Sequence, residues 1–592
     1  MTAAYKQERW SLNALFPGHE SPEYADAMKK LEGSIESFEK LRPELDLEID
    51  EKDFLKIVTE LEEITKQSNR LYGFAGLWFT EDTQDQDAQA LQARIEQFLV
   101  GLQNKTLFFS LWWKELDQAT ADQLMAASGD LKYWLEEMRH YTPHTLTEPE
   151  EKILNIKNVT GFSALITLYD SITNRYSFKV DIDGEEKDLT RGELMVYARH
   201  HDPKLRSAIY QELYKVYADD GPILGQIYQT VARDWANENI DLRKYNNPIS
   251  VRNLRNDVPD KAVDVLLDVC QKNAPVFQRF FDLKARWLKT EQLRRYDIYA
   301  PVVAQADKTY TFQEGVDMVL DAFQTFDPRV AQLAEKIIAD GHVDSEVRKG
   351  KRGGAFCWSV DKDLSPWVLL NFQGTADSVA TMAHELGHGI HALLAADHSV
   401  FTYHSSLPLA ENASTFGEML LIDKLLSEEK DPAVRRDILF KQVDDAYATI
   451  MRQSFFALFE REAHKMIKDG AIIDDLSEMY MENLKKQFGK AVSISDEFRW
   501  EWVSIPHFYH TPFYVYAYAF GQLLVLSLYQ RYQKEGDSFK PGYIKILEAG
   551  GSKAPAAILA ESGIDIASQD FWQGGFDVIG GMVKELEDLP IE

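Results

Sequence analysis

The chain has 592 residues, 45% apolar and 27% charged, with a formal net charge of -30. That length and apolar content can fill two or more domains or one large helical one. The negative balance argues against nucleic acid as a partner, no run of eighteen apolar residues suits a membrane span, and two cysteines do not suggest a disulfide framework. The N-terminal MTAAYKQERWSLNALF lacks the basic start and apolar run of a signal peptide. We expect a soluble, cytoplasmic protein with no nucleic-acid or membrane partner.

Ser21-Pro22 opens a helix as N-cap and first helical residue. Asp50 opens another, with Phe54, Ile57, Val58, Leu61 and Ile64 at helical spacing. Residues 86–116 continue in this style and end in LFFSLWW (107–113), read as helix–helix core. Thr147 with Glu150, Thr190 with Glu193, and Thr311 with Glu314 are capping boxes. Between them Tyr176, Phe178, Val180 and Ile182 alternate before Asp183-Gly184, the pattern of a hairpin.

A glycine-rich basic stretch follows, VDSEVRKGKRGGAF (343–356), and then Pro366–Phe372, which reads as a buried strand. The stretch lacks the spacing of a phosphate loop, and no helix follows it directly. The edge of the 367–372 strand can pair with an extended peptide.

Thr375 to Ala396 reads TADSVATMAHELGHGIHALLAA. Val379, Met382, Ala383, Leu386, Ile390, Leu393 and Leu394 give it an apolar helical face, with Asp377 in the first turn. Inside it lies His384-Glu385-Leu386-Gly387-His388, the H-E-x-x-H pattern. Residues i and i+4 share a helix face, so His384 and His388 can bind one zinc ion together. Glu385 is rotated about 100° from His384 and suits a general base acting on water. Gly387 leaves room for a close neighbour. Two histidines alone could also be a polar helix face; a catalytic zinc site usually takes three protein ligands.

There are several candidates for the third. His391 shares the face, but seven residues of rise put it roughly 10.5 Å along the axis from His384. His398 and His404 can return from the following loop. Neither has the spacing of H-E-x-x-H-x-x-G-x-x-H, whose third histidine would fall on Leu394. Glu411 opens ENASTFGE, which runs into an apolar helix; a helix antiparallel to the first would bring it to the metal as His₂Glu ligation. Glu418, two turns on, is either a partner for a ligand histidine's outer N–H or a solvated helix acid.

These segments carry a resemblance. HELGHGIH, ENASTFGE, the strand with GKRGGAF, WSLNALFP, TPHTLTEPEEKIL, PHFYHTPFYVYAYAFGQ and AGGSKAP resemble, in order, the oligoendopeptidase F branch of the thimet oligopeptidase family of zinc metallopeptidases. The resemblance implies a mainly α, large helical peptidase fold with a deep substrate channel and a small β-sheet beside the zinc-binding helix. It implies an N-terminal helical region over 1–185 and a zinc peptidase catalytic domain over 186–592. It implies one zinc ion per chain on His384, His388 and Glu411, Glu385 as the catalytic carboxylate, and short peptides as substrates. A histidine and tyrosines of the late segment complete it. We expect His507 and Tyr516 to stabilise the oxyanion, with Tyr514 and Tyr509 behind them, on a helix beginning at Thr511-Pro512. Tyr518 is expected in an aromatic core. The rival readings are a peptidyl-dipeptidase of similar helical fold and a zinc-dependent peptide-binding protein without catalysis; the intact Glu385 argues against the latter.

Overall fold

The computed structural model describes residues 5–46, 48–302 and 309–590. It is 70% helical, which fixes the mainly α class. Two compact units account for the chain. The first takes Met1–Thr142, Asp307–Glu428 and Arg531–Ile564; the second takes Pro143–Ala306, Glu429–Gln530 and Asp565–Glu592. No described helix is long and apolar enough to cross a membrane.

The helix starts follow their caps. In the first unit, Ser21 accepts from the Tyr24 N–H ahead of Pro22–Glu39, and Asp50 from the Asp53 N–H ahead of Glu51–Glu81. These helices and Gln86–Glu115 pack together, and LFFSLWW supplies core: Phe109 and Trp113 are buried against Phe54, and the Trp113 indole donates to the Leu135 carbonyl at 2.9 Å. All three capping boxes form.

The described strands are short: β1 (Phe178–Ile182), β2 (Glu185–Leu189), β3 (Leu293–Arg294), β4 (Val343–Asp344), β5 (Phe356–Trp358), β6 (Trp367–Leu369) and β7 (Val492–Ser493). In the second unit β1 and β2 form the expected hairpin, turned by Asp183 and Gly184 at φ 57° and 84°, and β3 pairs with β7 in parallel. The first unit holds a three-stranded sheet of order β4–β6–β5. Here one expectation fails. The strand read from Trp367-Val368-Leu369 is central, paired with β4 on one side and β5 on the other, so it has no edge to offer a peptide. β5 is an edge instead.

The basic loop before β5 spends its charge internally. The Lys351 ammonium is fully buried and bonds four oxygens: a carboxylate oxygen and the carbonyl of Asp344, and the carbonyls of Glu346 and Leu370, at 2.6–3.1 Å. Arg348 chelates the same Asp344 carboxylate. The Asn371 amide donates to the carbonyls of Arg352 and Gly354, fastening the glycines to the end of β6. Lys351→Met would leave three carbonyls and a buried carboxylate short of a partner. We expect it to destabilise this unit by roughly 3–5 kcal/mol, read as an earlier transition in urea by tryptophan fluorescence.

Candidate metal centre

The histidines sit on the helix Ala376–Leu394, whose N-cap Thr375 accepts from the Ser378 N–H. Val379, Met382, Ala383, Leu386, Ile390 and Leu394 are buried and fix the helix's rotation. That helix packs against Phe312–Phe326, Pro328–Ala339, Asn412–Glu428 and the strands β5 and β6. His384 and His388 stand one turn apart, their rings 4.9 Å apart and nearly perpendicular.

Glu411 reaches them because two helices pack almost in backbone contact. A Cβ on Gly387 would lie 2.5 Å from the Ala413 carbonyl oxygen and 2.6 Å from the Ser414 Cα. On the facing helix a Cβ on Gly417 would lie 3.2 Å from the Ala383 carbonyl oxygen. The Glu411 backbone is in the right-handed helical region between the short helix Leu407–Ala410 and Asn412–Glu428. Its Oε2 accepts from the Ser414 hydroxyl at 2.7 Å and lies 3.4 Å from His384 Nε2 and 3.5 Å from His388 Nε2.

One donor atom from each of His384, His388 and Glu411 lies within 4.8 Å of the other two, and among the described residues this is the group so placed. Donors about 2.0–2.2 Å from a tetrahedral ion stand roughly 3.3–3.5 Å from one another, so the carboxylate–imidazole spacings fit a zinc-sized ion. One outer nitrogen is also held. Glu418 Oε1 is 2.9 Å from His384 Nδ1, the carboxylate partner that ligating imidazoles use, which places Nε2 toward Glu411. Burial lowers the His388 imidazole, and the Ala410 carbonyl pulls the other way.

The electrostatics are those of a crowded acidic pocket. Burial alone would lower the His384 imidazole, but the hydrogen bond and charge of Glu418, with Glu411 behind it, lift it to about 9. Burial pushes the Glu385 carboxyl up to about 7, opposed by His384 and reinforced by Glu411 and Glu418. Glu385 is only 7% exposed. It lines a cavity of about 420 Å³ with His388, His391, Phe356, Trp358 and Tyr403. The backbone of Cys357, on edge strand β5, pulls the Glu385 carboxyl the other way, downward.

The other histidines go elsewhere. His391 is buried at the cavity wall, its imidazole pulled down to about 4 by burial. His398 is held by Asp130 at 2.6 Å and by the Glu548 carbonyl at 2.8 Å. His404 lines the cavity. Sequence reasoning missed Ser414, although its i+3 spacing from Glu411 is a hydrogen-bonding one. It also missed β5, which is too short to leave a pattern.

The late aromatic segment belongs to the second unit, and the structure redistributes its tyrosines. The helix expected from Thr511-Pro512 starts at Tyr516. Phe513, at φ 60°, breaks the helical path before it. Tyr516 is 1% exposed and its hydroxyl accepts from the Asn256 amide at 2.9 Å. Tyr509 is fully buried, stacked on Tyr169, and donates to the Leu224 carbonyl at 3.3 Å. Both phenols are thus engaged within the core. Tyr514 instead lies parallel to the His507 ring, centroids 6.1 Å apart, and the Tyr518 hydroxyl is 3.5 Å from His507 Nε2. Tyr518 is 38% exposed and belongs to this open cluster, not to the core expected for it.

The sequence model of Peptidase family M3 matches residues 196–578, and that of Oligopeptidase F matches residues 112–178. The chain belongs to peptidase family M3. Within it the peptidase falls in the oligoendopeptidase F branch. It is 27% identical to Oligopeptidase PepF of Bacillus subtilis over 98% of this chain and 87% of that one. It is also 27% identical to the chromosomal Oligoendopeptidase F of Lactococcus lactis subsp. cremoris, over 90% of each. A crystal structure of a Chlamydophila abortus protein described as a peptidase superposes with a TM-score of 0.89, at 26% identity and 98% coverage of both chains. The oligoendopeptidase-F structure from Enterococcus faecium gives 0.70 at 23% identity, covering 96% of this chain and 98% of that one, and supports the large helical fold. The family makes the protein a metallopeptidase.

Two substitutions test the centre itself. Gly387→Ala forces the two helices of the peptidase apart. It should weaken binding of a metal ion, and competition with a fluorescent chelator would detect the loss. Glu418→Ala removes the partner of His384 Nδ1 and should cost about 10–100-fold in zinc affinity, with the helix content by circular dichroism unchanged.

Proposed function

We propose that the peptidase is a zinc-dependent oligoendopeptidase that hydrolyses internal bonds of short peptides. The observation that carries this reading is the convergence of His384, His388 and Glu411 beside a buried Glu385 that opens on a cavity. Zinc bound by those three side chains supplies Lewis acidity to the scissile carbonyl and to water.

The other roles fall to the protein's own groups. Glu385, buried beside the cavity, accepts the proton of the attacking water and delivers it to the leaving amine. Glu418 and Ser414 hold His384 and Glu411 in their ligating orientations. The free edge of β5, from Ala355 to Ser359, takes an extended peptide by main-chain hydrogen bonds, the part first given to 367–372. His507 and Tyr514 donate to the oxyanion. Tyr514 is preferred over Tyr516 and Tyr509 because its ring lies with His507 in an open cluster, whereas their hydroxyls are bonded inside the core. We place the boundary between the N-terminal region and the catalytic domain near residue 185, within the interval 179–195 that neither family model spans.

The names of the relatives, oligopeptidase and oligoendopeptidase F, support internal cleavage over removal of C-terminal dipeptides. Mass spectrometry of a digested peptide mixture separates the two: internal cuts are expected, and a ladder of dipeptides would refute the proposal. Chelation should abolish cleavage, and zinc should restore it. Glu385→Gln should retain zinc and lower kcat by at least about 10²–10⁴-fold. Full turnover by that variant would remove Glu385 from the mechanism.

A further inference from the structure

In the second unit, Phe513 sits at φ 60°. That left-handed conformation costs a bulky residue of order 1–3 kcal/mol and persists only where the surroundings enforce it. The enforcement is visible at both poles of the Pro512–Phe513 peptide. Its N–H donates to Glu460 Oε1 at 2.9 Å. Its carbonyl accepts from Arg252 Nε at 3.4 Å. A carboxyl and a guanidinium thus hold the two ends of one peptide dipole.

Glu460 is expensive to keep there. It is fully buried, and its second oxygen, Oε2, has no hydrogen-bond partner. Burial pushes its carboxyl up to about 8, with the Phe513 N–H and Arg252 pulling the other way. A buried acid that is half satisfied lowers stability relative to an apolar side chain of the same size. Its benefit must therefore be local.

What the grip controls is the aromatic cluster. The Thr511 N–H donates to the His507 carbonyl at 3.0 Å, and the Tyr514 N–H to the Thr511 carbonyl at 3.1 Å. The gripped peptide lies between those ties. The Arg252 guanidinium also sits 5.9 Å from the Tyr514 ring centroid. Phe513 lines a cavity of about 230 Å³, space into which an ungripped segment can relax.

We propose that Glu460, together with Arg252, is a positioning residue that holds the strained Pro512–Phe513 peptide and so presents Tyr514, stacked on His507, for turnover. The catalytic half of this statement rests on the peptidase reading above; the grip itself does not.

The test uses the full chain loaded with zinc, in wild-type, Glu460→Leu and Glu460→Gln forms. Leucine removes the acceptor and glutamine keeps one. Amide hydrogen exchange over residues 507–518 should accelerate about 100-fold in Glu460→Leu and only a few-fold in Glu460→Gln. Exchange in the helix Ala376–Leu394 should stay as in wild type. Should Glu460→Leu not fold, Arg252→Met frees the carbonyl end and the same acceleration is expected. Unchanged exchange over 507–518 overturns the proposal.

For turnover, Glu460→Leu should lower kcat about 10–100-fold with KM within threefold, and glutamine should restore most of it. Tyr514→Phe should slow the wild-type enzyme but add little in the Glu460→Leu background, where the phenol is already displaced. An equal loss in both backgrounds overturns the positioning role. Failure of the wild type to cleave any peptide would refute the peptidase reading instead, since the exchange data report the grip independently.

Discussion

The proposed metal centre depends on how closely two helices approach. Glu411 comes from a segment remote in sequence from His384 and His388, and it can stand 3.4 Å from an imidazole only because the backbone at Ala413 and Ser414 rests on Gly387. A single methyl group at that position would occupy the space of a main-chain oxygen. The same approach seats Glu418 against His384 Nδ1, two turns further along. One packing contact therefore sets a proposed ligand and the group that orients another.

Around that contact the protein uses buried charge for local geometry. Lys351 is encircled by oxygens and ties the glycine-rich loop to β4 and β6, next to the edge strand β5. Glu460 and Arg252 do comparable work on a single peptide unit in the other unit. In both places an apolar side chain of equal size would pack at lower electrostatic cost. What it could not supply is directional bonding to main-chain groups that would otherwise be free to move.

Most of the centre was legible in the chain. H-E-x-x-H puts two histidines and an acid on one turn of helix, and ENASTFGE supplied Glu411, which the fold brings to them, with Glu418 seven residues on. Helix starts were legible because Ser21, Asp50 and Thr311 bond locally. What escaped was set by tertiary context. A buried strand was read correctly, but over 366–372 where the structure forms Trp367–Leu369 only, and whether a strand is central or at an edge depends on partners far away in sequence. The tyrosines failed similarly. Tyr514, Tyr516 and Tyr518 were placed on one ideal helix from Pro512, and the left-handed Phe513 breaks that helix before it begins. An N-cap-like Thr-Pro pair gives no warning of this, because the acceptor of the Phe513 N–H is Glu460, 53 residues earlier.

The edge strand β5 has a further consequence. Only three residues long, it can read little beyond the repeating amide and carbonyl groups that every peptide shares. A folded protein has already committed most of those groups to its own helices and sheets and has few to lend. On the proposed reading, the selection is between chains whose backbone is free and chains whose backbone is taken, so an unfolded fragment is recognised as a substrate by what it has lost.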